Sequence, residues 1–371
     1  MKDVLAQLQA GKSLSAEQAE AVFARIMDGE AAAGGGVEPA QVGALLTLLA
    51  MREPTVEELI GVSQVMRRHV VRIPVPQEMA ERVIDTCGTG GVGSRIFNVS
   101  TTAALVAAAC GVPVAKHGNR SITSKSGSSD VLKLLGVAVE TTPEVEARCL
   151  REVGICFAFA PKHHPAMKHV AGIRQALGFA TIFNLVGPLT NPAGARRQLV
   201  GVKSPELANK VLAVLVDLGA ERALVVNGRS AAADGRAEAV LCELSISGPT
   251  YVVGFDGKQG YKYTLVPEDV GLRTQGIGAI EIESAAESAA LVRGVLDGKQ
   301  GAARDIVLLN AAGALWVGGK VEELKEGVVM AAEAIDSGAA GRVLERLAAL
   351  SGETTPSRRH EPPPPLSPTK K

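Results

Sequence analysis

The sequence predicts an α/β protein: a small N-terminal helical domain, then a larger α/β domain with a mainly parallel central sheet. Three observations predict this fold. Helical patterns fill residues 1–73, short apolar segments alternate with helical patterns from residue 82, and helical periodicity resumes over 284–350. Strands that alternate with helices are typical of a parallel sheet covered by helices on its faces. A chain of 371 residues has room for both domains.

Capping signals mark the N-terminal helices. Ser15 with Gln18, and Thr55 with Glu58, have the spacing of a capping box ahead of amphipathic segments. Three glycines at 34–36 predict a break between two helices. Residues 73–76, with the sequence IPVP, predict an extended linker, because each proline disfavours helix in the residue before it. The helical domain is therefore placed at residues 1–73.

The α/β domain is placed at residues 74–350. Its strands are predicted from short apolar segments at 83–87, 112–115, 155–160, 199–202 and 223–227. The alanine-rich segment 227–240 predicts a surface loop ahead of a strand that carries Glu243. Residues 351–371, with four prolines in a row at 362–365, predict a disordered tail.

Composition excludes several classes of protein. Basic and acidic residues are equal at 39 each, which argues against a protein that coats nucleic acid. Aromatic residues make up 3%, too few for a platform that stacks single strands. No apolar segment is long enough to cross a membrane, and the N-terminus has no signal-peptide pattern. Five scattered cysteines without a C-x-x-C pair predict a reduced, cytoplasmic protein with buried thiols.

Acidic residues are missing from two long stretches, 88–129 and 153–205, although basic residues remain in both. The same stretches hold four of the six histidines, namely His117, His163, His164 and His169. This distribution predicts a site for a highly charged anion, near which a carboxylate would be repelled or would have to be neutralised by a metal.

A glycine loop, DTCGTGGVG at 85–93, follows the first predicted strand and precedes a helix that begins near Asn98. Glycines let backbone N–H groups approach phosphate oxygens, and a helix N-terminus favours an anion. A dinucleotide site needs an acidic residue at the end of the second strand, where this chain has Lys116 and His117. NAD is therefore disfavoured. The motifs of P-loop NTPases, serine hydrolases and zinc proteases are absent from the sequence.

A second loop, KHGNRSITSKSGSSD at 116–130, leaves a buried strand and enters a helix near 131–135. Its density of hydroxyls, cations and glycines suits a pyrophosphate, because each oxygen has a donor within reach. The alternative is a polar surface turn that ends in a good helix cap.

Six motifs together resemble the anthranilate phosphoribosyltransferase family of tryptophan biosynthesis, which has the nucleoside-phosphorylase class III fold. They are GTGG at 88–91, NVST at 98–101, KHGNRS at 116–121, SKSGSSD at 124–130, HPAMKHV at 164–170 and FNLVGPLTNPA at 183–193. The resemblance implies transfer of the 5-phosphoribosyl group from phosphoribosyl pyrophosphate (PRPP) to anthranilate. It also implies magnesium, a homodimer formed through the helical domain, and a helical segment near 174–191 that completes this domain.

The resemblance also implies a set of site residues. Those for PRPP are Gly88, Gly91, Val92, Ile96, Asn98, Val99, Ser100, Thr101, Lys116, His117, Gly118, Asn119, Arg120, Ser121, Ser124 and Ser128. Those for anthranilate are Gly88, Asn119, His164, Arg174 and Pro188, with Arg174 at the carboxylate; Asn191 would join Pro188 in the hinge and tunnel wall. Those for the metal are Ser100, Glu243 and, as a poor ligand, Cys242. No residue is assigned as a certain catalytic group.

Three positions depart from the family pattern. Val92 stands where the family usually has Asp, Ile96 where it has Thr, and Cys242 where it has the first acid of an Asp-Glu pair. The departures predict that one magnesium position is weakened or lost.

Other functions stay open. The departures allow a related phosphoribosyltransferase with another aromatic acceptor or an altered metal dependence. A non-catalytic nucleic-acid-binding relative of the fold is a further alternative, and a pyrimidine nucleoside phosphorylase is disfavoured by the KHGNRS motif. His163 and His164 are equally explained as hydrogen-bonded core or hinge histidines.

Overall fold

The computed structural model describes residues 1–29, 37–90, 95–120, 126–230 and 239–353. These residues build one mixed sheet with helices on both faces. The strands are β1 (Ile84–Thr86), β2 (Val114–Gly118), β3 (Ile155–Phe159), β4 (Arg197–Gly201), β5 (Arg222–Arg229), β6 (Val240–Leu241), β7 (Thr250–Phe255) and β8 (Gly260–Leu265). The spatial order is β3-β2-β1-β4-β5-β7-β8, and β6 pairs with β5.

Helices occupy the N-terminal part, the crossovers and the C-terminal part. The α-helices are α1 (Lys2–Gln9), α2 (Ala16–Met27), α3 (Pro39–Arg52), α4 (Val56–Arg68), α5 (Gln77–Ala80), α6 (Val99–Ala109), α7 (Ser128–Leu134), α8 (Pro143–Val153), α9 (Ala160–His163), α10 (Lys168–Leu177), α11 (Ile182–Val186), α12 (Pro205–Asp217), α13 (Ala285–Leu296), α14 (Ala302–Val317), α15 (Leu324–Asp336) and α16 (Ala339–Gly352). Short 3-10 helices lie at Pro165–Met167, Gly187–Leu189, Pro267–Val270 and Ile277–Ile280. No helix of the described ranges is long and apolar enough to span a membrane.

The prediction of an α/β fold with a mainly parallel sheet is confirmed. Strands β3, β2, β1, β4 and β5 pair in parallel, and each overlaps a predicted strand. Strands β7 and β8, which the sequence analysis missed, extend the sheet in antiparallel fashion.

Three predicted boundaries are wrong. Strand β2 continues to Gly118, so Lys116 and His117 lie in the strand and not in the loop after it. Strand β6 ends before Glu243, and β5 extends to Arg229, so the segment 227–240 begins as strand; residues 231–238 lie outside the described chain. Helix α16 runs to Gly352, and the Ser351 hydroxyl accepts a hydrogen bond from the Ala138 amide at 3.0 Å. The disordered tail was therefore predicted to start too early, and residues 354–371 lie outside the description.

Both faces of the sheet are buried, because alternate side chains of a strand point to opposite sides. In β5, Leu224 and Val226 join the core with α6 and α14, whereas Ala223 and Val225 join the core with α12 and the N-terminal helices. All side chains of α14 from Ile306 to Val317 are buried, which suits a helix that is apolar all round.

The N-terminal helices share an apolar core with α12 and one face of the sheet. Both predicted capping boxes form, with Ser15 accepting from the Gln18 amide and Thr55 accepting from the Glu58 amide. The segment after β3 also joins this core, and the Phe183 ring meets Phe23 edge-on at 5.7 Å. The chain just before the linker is held to the α/β part, where the Val71 amide donates to the His163 carbonyl at 2.8 Å.

The order of the strands creates a cleft at one end of the sheet. Strand β1 lies between β2 and β4, so the chain leaves β1 toward one side and later returns on the other. In open α/β sheets, ligands bind at the carboxyl ends of strands where the order reverses in this way. The glycine loop leaves β1 at this point, and the Thr89 amide donates to the Gly201 carbonyl at the end of β4, at 2.9 Å.

Candidate active site

Lys116 is a buried cation in the cleft. Its side chain reaches from β2 across β1, where Nζ donates to the Thr86 carbonyl at 2.5 Å and to the Ser100 hydroxyl at 3.3 Å. The residue is 3% exposed, so its charge acts where little water screens it. The ammonium group therefore sits beside the N-terminus of α6, which also favours an anion.

Glu243 lies on the same side of the cleft, directly after β6. Burial raises the pKa of its carboxyl to about 7, against the opposing effects of the Lys116 charge and a hydrogen bond from the Ser100 amide. Cys242 is turned toward the glycine loop, with Sγ 3.8 Å from the Gly90 carbonyl. Burial, and then the charge of Glu243, raise the pKa of the Cys242 thiol to about 12.

Glu243 and Ser100 have groups that suit a magnesium ion, whereas Cys242 does not. A carboxylate and the Ser100 hydroxyl offer the hard oxygen ligands that magnesium takes, together with water and substrate phosphate. The protonated thiol of Cys242 is a poor ligand for this ion. Ile96, the second of the three departures from the family pattern, forms a β-bridge with Glu281 and packs against the main core. Val92 and Gly91 lie outside the described residues.

Glycine is required where the loop after β1 meets the end of β4. A Cβ on Gly201 would lie 1.7 Å from the Cys242 carbonyl oxygen, and a Cβ on Gly88 would lie 3.1 Å from the Gly201 oxygen. Gly90 has a positive φ of 62°, which L side chains rarely adopt. Close backbone packing thus joins the glycine loop to the segment that carries Glu243.

The second predicted loop closes on itself beside α6. The Asn119 carbonyl accepts from the Ser128 hydroxyl at 3.3 Å, and the Ser126 hydroxyl donates to Asn98 Oδ1 at 2.6 Å. A Cβ on Gly118 would lie 2.4 Å from Ser128 Oγ. Asn98, Gly118, Asn119 and Ser128 therefore lie near one another. Ser121 and Ser124 lie outside the described residues.

A network of buried polar side chains forms on the other face of β2. Asp85 Oδ1 accepts from the His117 amide at 3.1 Å, and Asp85 Oδ2 accepts from Asn191 Nδ2 at 2.7 Å. The His117 ring lies between the Gly187 carbonyl, 3.1 Å from Nδ1, and His164, whose Nε2 is 3.3 Å from His117 Nε2. Burial raises the pKa of Asp85 to about 6, against the charge of Lys116 and these hydrogen bonds.

The two histidines form a neutral pair. Burial, and then the neighbouring histidine, lower the pKa of His117; burial and the His163 charge lower the pKa of His164 to about 4. Because a carbonyl can only accept, His117 Nδ1 carries the proton and its Nε2 accepts from His164. His164 Nδ1 is then an acceptor, and this buried atom has no hydrogen-bond partner in the described chain.

Of three further predicted PRPP residues, Val99 and Thr101 are buried, whereas Arg120 is exposed. Val99 is 1% exposed. The Thr101 hydroxyl is buried without a hydrogen-bond partner in the ranges that the structure covers, and it lines an internal cavity of about 10 Å³ with Lys116. Arg120 pairs with Glu140 at 2.7 Å and lies over the Phe159 ring. The Val99 amide is also engaged, because it donates to the Phe97 carbonyl at 2.7 Å.

Three predicted anthranilate residues, His164, Arg174 and Pro188, lie on the segment between β3 and β4. Arg174 donates to Asn184 Oδ1 at 3.3 Å, and its guanidinium lies 5.5 Å from the centre of the Phe183 ring. Pro188 is buried, and its carbonyl accepts from Gln198 Nε2 at 2.6 Å. Within the described part of the chain, no hydrogen bond joins Arg174 to the histidine pair.

Two carboxylates lie at the cleft, which the predicted anion site allows where a metal neutralises them. Asp85 and Glu243 are both at the cleft, although neither belongs to the two acid-free stretches. Many cations of those stretches instead pair with acids from other parts of the chain: Arg95 with Glu283, Arg196 and Arg197 with Glu221, and Lys203 with Glu53. Charge along the sequence does not predict these partners, because they are contributed by distant segments.

The sequence analysis gave Asp85, Cys87 and Gly201 no role in the site. Asp85 had a visible signal, since it is the only acid in an otherwise apolar predicted strand, directly before the glycine loop. Gly201 carries no such signal, because its role depends on the approach of Cys242 from 41 residues away along the chain.

Known families match both parts of the chain. Residues 2–70 match the model of the glycosyl transferase family helical bundle domain, and residues 80–341 match that of the glycosyl transferase family a/b domain. An anthranilate phosphoribosyltransferase of Rhodopseudomonas palustris is 46% identical over 350 residues, which cover 94% of this chain and 98% of the relative. The anthranilate phosphoribosyltransferase of Symbiobacterium thermophilum is 48% identical over 347 residues, which cover 94% of this chain and 96% of the relative.

Solved structures agree with these matches. The crystal structure of anthranilate phosphoribosyltransferase from Thermus thermophilus has a TM-score of 0.83 at 40% identity, covering 94% of this chain and 99% of that one. The Saccharomyces cerevisiae enzyme in complex with PRPP and Mg has a TM-score of 0.81 at 27% identity, with 94% and 97% covered. Matches of this identity and extent favour neither a phosphoribosyltransferase with another acceptor nor a non-catalytic nucleic-acid-binding relative. The chain belongs to the anthranilate phosphoribosyltransferase family.

Proposed function

We propose that the cleft at the carboxyl ends of β1, β2 and β4 is where this chain transfers the 5-phosphoribosyl group from PRPP to the amine of anthranilate. The products are N-(5-phosphoribosyl)anthranilate and pyrophosphate. One observation carries the proposal: consecutive residues of β2 point to opposite sides, Lys116 toward Ser100 and the α6 N-terminus, His117 toward Gly187 and His164. One strand thus offers a cation to a diphosphate and a neutral imidazole pair to an uncharged amine.

PRPP would lie on the Lys116 side. Negative charge develops on the leaving pyrophosphate as its bond to the ribose breaks, and fixed donors stabilise such charge in a site with little water. Lys116, the backbone of the Gly88 turn and the N-terminus of α6 supply these donors. Asn98, Asn119 and Ser128, which lie together, would hold the rest of the substrate.

Anthranilate would lie on the histidine side, between Gly88, Asn119, His164 and Pro188. The unpartnered Nδ1 of His164 is a suitable acceptor for an amine N–H. Arg174 would meet the carboxylate, because a guanidinium binds a carboxylate through two parallel hydrogen bonds. The amine of anthranilate is a neutral nucleophile, so correct placement would supply most of the acceleration.

Magnesium would be held by Glu243 and the Ser100 hydroxyl. Support comes from the yeast relative, whose complex contains PRPP and Mg, and from the pair of oxygen groups beside Lys116. When bound, the ion neutralises part of the charge of the pyrophosphate. Because Cys242 takes the place of an acid, we expect one magnesium position to be weakened.

The domains would be residues 1–73 with the segment near 174–191, and residues 74–350. Two copies would pair through the helical part, where Met51 on α3 is 80% exposed.

The five cysteines are free thiols, which suits the reducing cytoplasm. We expect neither nucleic acid nor a membrane as partner, in line with the equal numbers of acidic and basic residues.

The test is direct turnover. Purified protein is mixed with PRPP, magnesium and anthranilate, and the loss of anthranilate fluorescence is followed. We expect turnover that needs all three additions and that releases pyrophosphate in equal amount. Other aromatic amines serve as comparison acceptors, and turnover with one of them but not with anthranilate would contradict the proposal.

A further inference from the structure

Cys87 is a thiol at the cleft for which phosphoribosyl transfer has no use. One ligand atom each from Asp85, Cys87 and His117 lie within 4.8 Å of one another, and no other such group of three occurs within the described ranges. We propose that these three side chains form a binding site for a thiophilic divalent cation of the zinc class, separate from the magnesium position at Glu243 and Ser100.

The fold brings the three donors together on one face. Residues 85 and 87 are two positions apart along an extended segment, so their side chains point to the same side. The register of β1 with β2 pairs Ile84 with Val114, which places Cys87 beside His117 on the neighbouring strand. Lys116 lies on the opposite side and donates to Thr86 and Ser100, so its ammonium is not directed at the three donors.

The nitrogen and oxygen donors are already oriented. His117 Nδ1 donates to the Gly187 carbonyl at 3.1 Å, which leaves Nε2 for a metal. Metal-bound histidines usually donate their second N–H to a carbonyl or carboxylate in this way. The Asp85 carboxylate accepts hydrogen bonds from the His117 and Thr86 amides and from Asn191. Two carboxylate oxygens offer about four lone-pair sites, so one is left for a metal.

The sulfur has few competing contacts. The Cys87 thiol donates a weak hydrogen bond to the Gly88 carbonyl, at 3.7 Å. Burial, and then the charge of Asp85, raise the pKa of the Cys87 thiol to about 12, so without a metal the sulfur keeps its proton at neutral pH. A coordinating cation displaces that proton to solvent. Binding therefore releases one proton, and the thiolate and the Asp85 carboxylate together balance the two charges of the ion.

A fourth ligand is close by. His164 Nε2 lies 3.3 Å from His117 Nε2. With metal–nitrogen bonds of about 2.0–2.1 Å, two imidazoles on one tetrahedral zinc ion have their nitrogens about 3.3 Å apart. If His164 binds the ion through Nε2, its proton moves to Nδ1, which is unpartnered in the structure.

The donor set selects the class of metal. Sulfur and imidazole ligands favour zinc and its neighbours among the transition metals, whereas magnesium prefers oxygen ligands alone. The site also lies beside Gly187 and Pro188, where we place anthranilate. A bound zinc ion would therefore exclude the acceptor, a consequence that rests on the proposed function.

Cobalt(II) is the probe for binding, because a cobalt–thiolate bond gives a near-ultraviolet charge-transfer band. Metal-free full-length protein is titrated with cobalt, and then with zinc to displace it. We expect a band that saturates at one cobalt per chain and that zinc abolishes. Cys87→Ser should lose the band and bind zinc at least about 100-fold more weakly. The matched controls, Cys110→Ser and Cys242→Ser, should keep it.

Each outcome bears on the proposal. No band at one equivalent of cobalt, a band that persists in Cys87→Ser, or a band lost in Cys242→Ser instead would overturn it. Thermal unfolding of the metal-free variants shows whether each is folded, and Cys87→Ala repeats the test with a smaller side chain. Turnover is measured separately: a band without zinc inhibition would support the metal site and overturn only the placement of anthranilate.

Discussion

The ammonium group of Lys116 donates to the carbonyl oxygen of Thr86 on the neighbouring strand, at 2.5 Å. A carbonyl and the Ser100 hydroxyl hold the ammonium in place without neutralising it. An ammonium has three donors, so one remains for a ligand. The cation is thus fixed in position and still charged toward the cleft.

Lys116→Ala should therefore remove a fixed charge that stabilises the leaving pyrophosphate. We expect kcat/KM for PRPP to fall by about 100-fold or more, the scale seen when one preorganised donor is lost. Steady-state kinetics with varied PRPP measure the effect. The control is Lys162→Ala, which removes an exposed lysine. Near wild-type kcat/KM in Lys116→Ala would rule out this role.

Gly201→Ala tests the backbone approach between β4 and the Glu243 segment. The added Cβ would lie 1.7 Å from a carbonyl oxygen of Cys242, so backbone has to move. We expect a loss of about 1–3 kcal/mol or more in the free energy of unfolding, as for other overpacked sites. Urea unfolding measures it. Gly276→Ala is the control, because no atom lies within 4 Å of the added Cβ. Equal stability of the two variants would contradict the described contact.

The parts of the fold that could be predicted from sequence depend on local signals. The capping boxes at Ser15 and Thr55 span four residues each, and the five parallel strands are short apolar segments. Strand β8 was missed because most of its residues are exposed, so it has no apolar run. In β7, Gly254 interrupts the apolar pattern; it makes room for Tyr261, whose ring a Cβ would approach to 2.3 Å.

The site could be predicted only where its residues lie in motifs. Lys116 and the glycine loop were identified in this way. The hydrogen bond between Asp85 and Asn191 joins residues 106 positions apart, and only the folded sheet brings them together. For the same reason the acid-free stretches do not reveal Asp85, since the carboxylates at the cleft come from outside them.

Arg174→Ala tests the binding of the aromatic acid. Loss of a bidentate partner for the carboxylate should raise KM for anthranilate by about 10- to 100-fold, since a hydrogen bond to a charged group contributes about 1.5–3 kcal/mol. KM for PRPP should change little. Arg174→Lys should not restore binding, because an ammonium lacks the planar pair of donors and the stacking on Phe183. Equal changes in both KM values would contradict the assignment.

Cys242→Asp tests the magnesium site. The change restores a hard oxygen ligand next to Glu243, so the magnesium concentration for half-maximal activity should fall, by about 10-fold. Cys242→Ser is the matched control, since it removes the sulfur without adding charge. Activity is titrated with magnesium at fixed PRPP. An unchanged half-maximal concentration in Cys242→Asp would show that position 242 does not contribute to metal binding.

A buried ion pair within the α/β part holds the histidine that binds the chain just before the linker. His163 Nε2 lies 2.8 Å from Glu146 Oε2, and both side chains are at most 2% exposed. His163 Nδ1 donates to the Val71 carbonyl at 2.7 Å. Burial raises the pKa of Glu146, against the hydrogen bond from His163. Burial opposes charge on His163, but Glu146 and the Val71 carbonyl outweigh it and raise its pKa.

The pKa values of Glu146 and His163 are both raised by folding, so both residues take up protons when the chain folds. The folded pair holds protons that the unfolded chain has released, above about pH 4.5 for Glu146 and above about pH 6.5 for His163. The stability that the pair contributes should therefore be present at low pH and be lost as the pH rises through the raised pKa values. In the wild type, the free energy of unfolding should fall between about pH 5.5 and 8. In Glu146→Gln this fall should be smaller, because glutamine does not titrate. Urea unfolding at both pH values measures this.

Glu140→Gln is the control: the pKa of that exposed carboxyl is lowered by Lys133 and Arg120, so its contribution to stability is constant over this pH range. An unchanged slope in Glu146→Gln would show that the pair takes up no proton on folding.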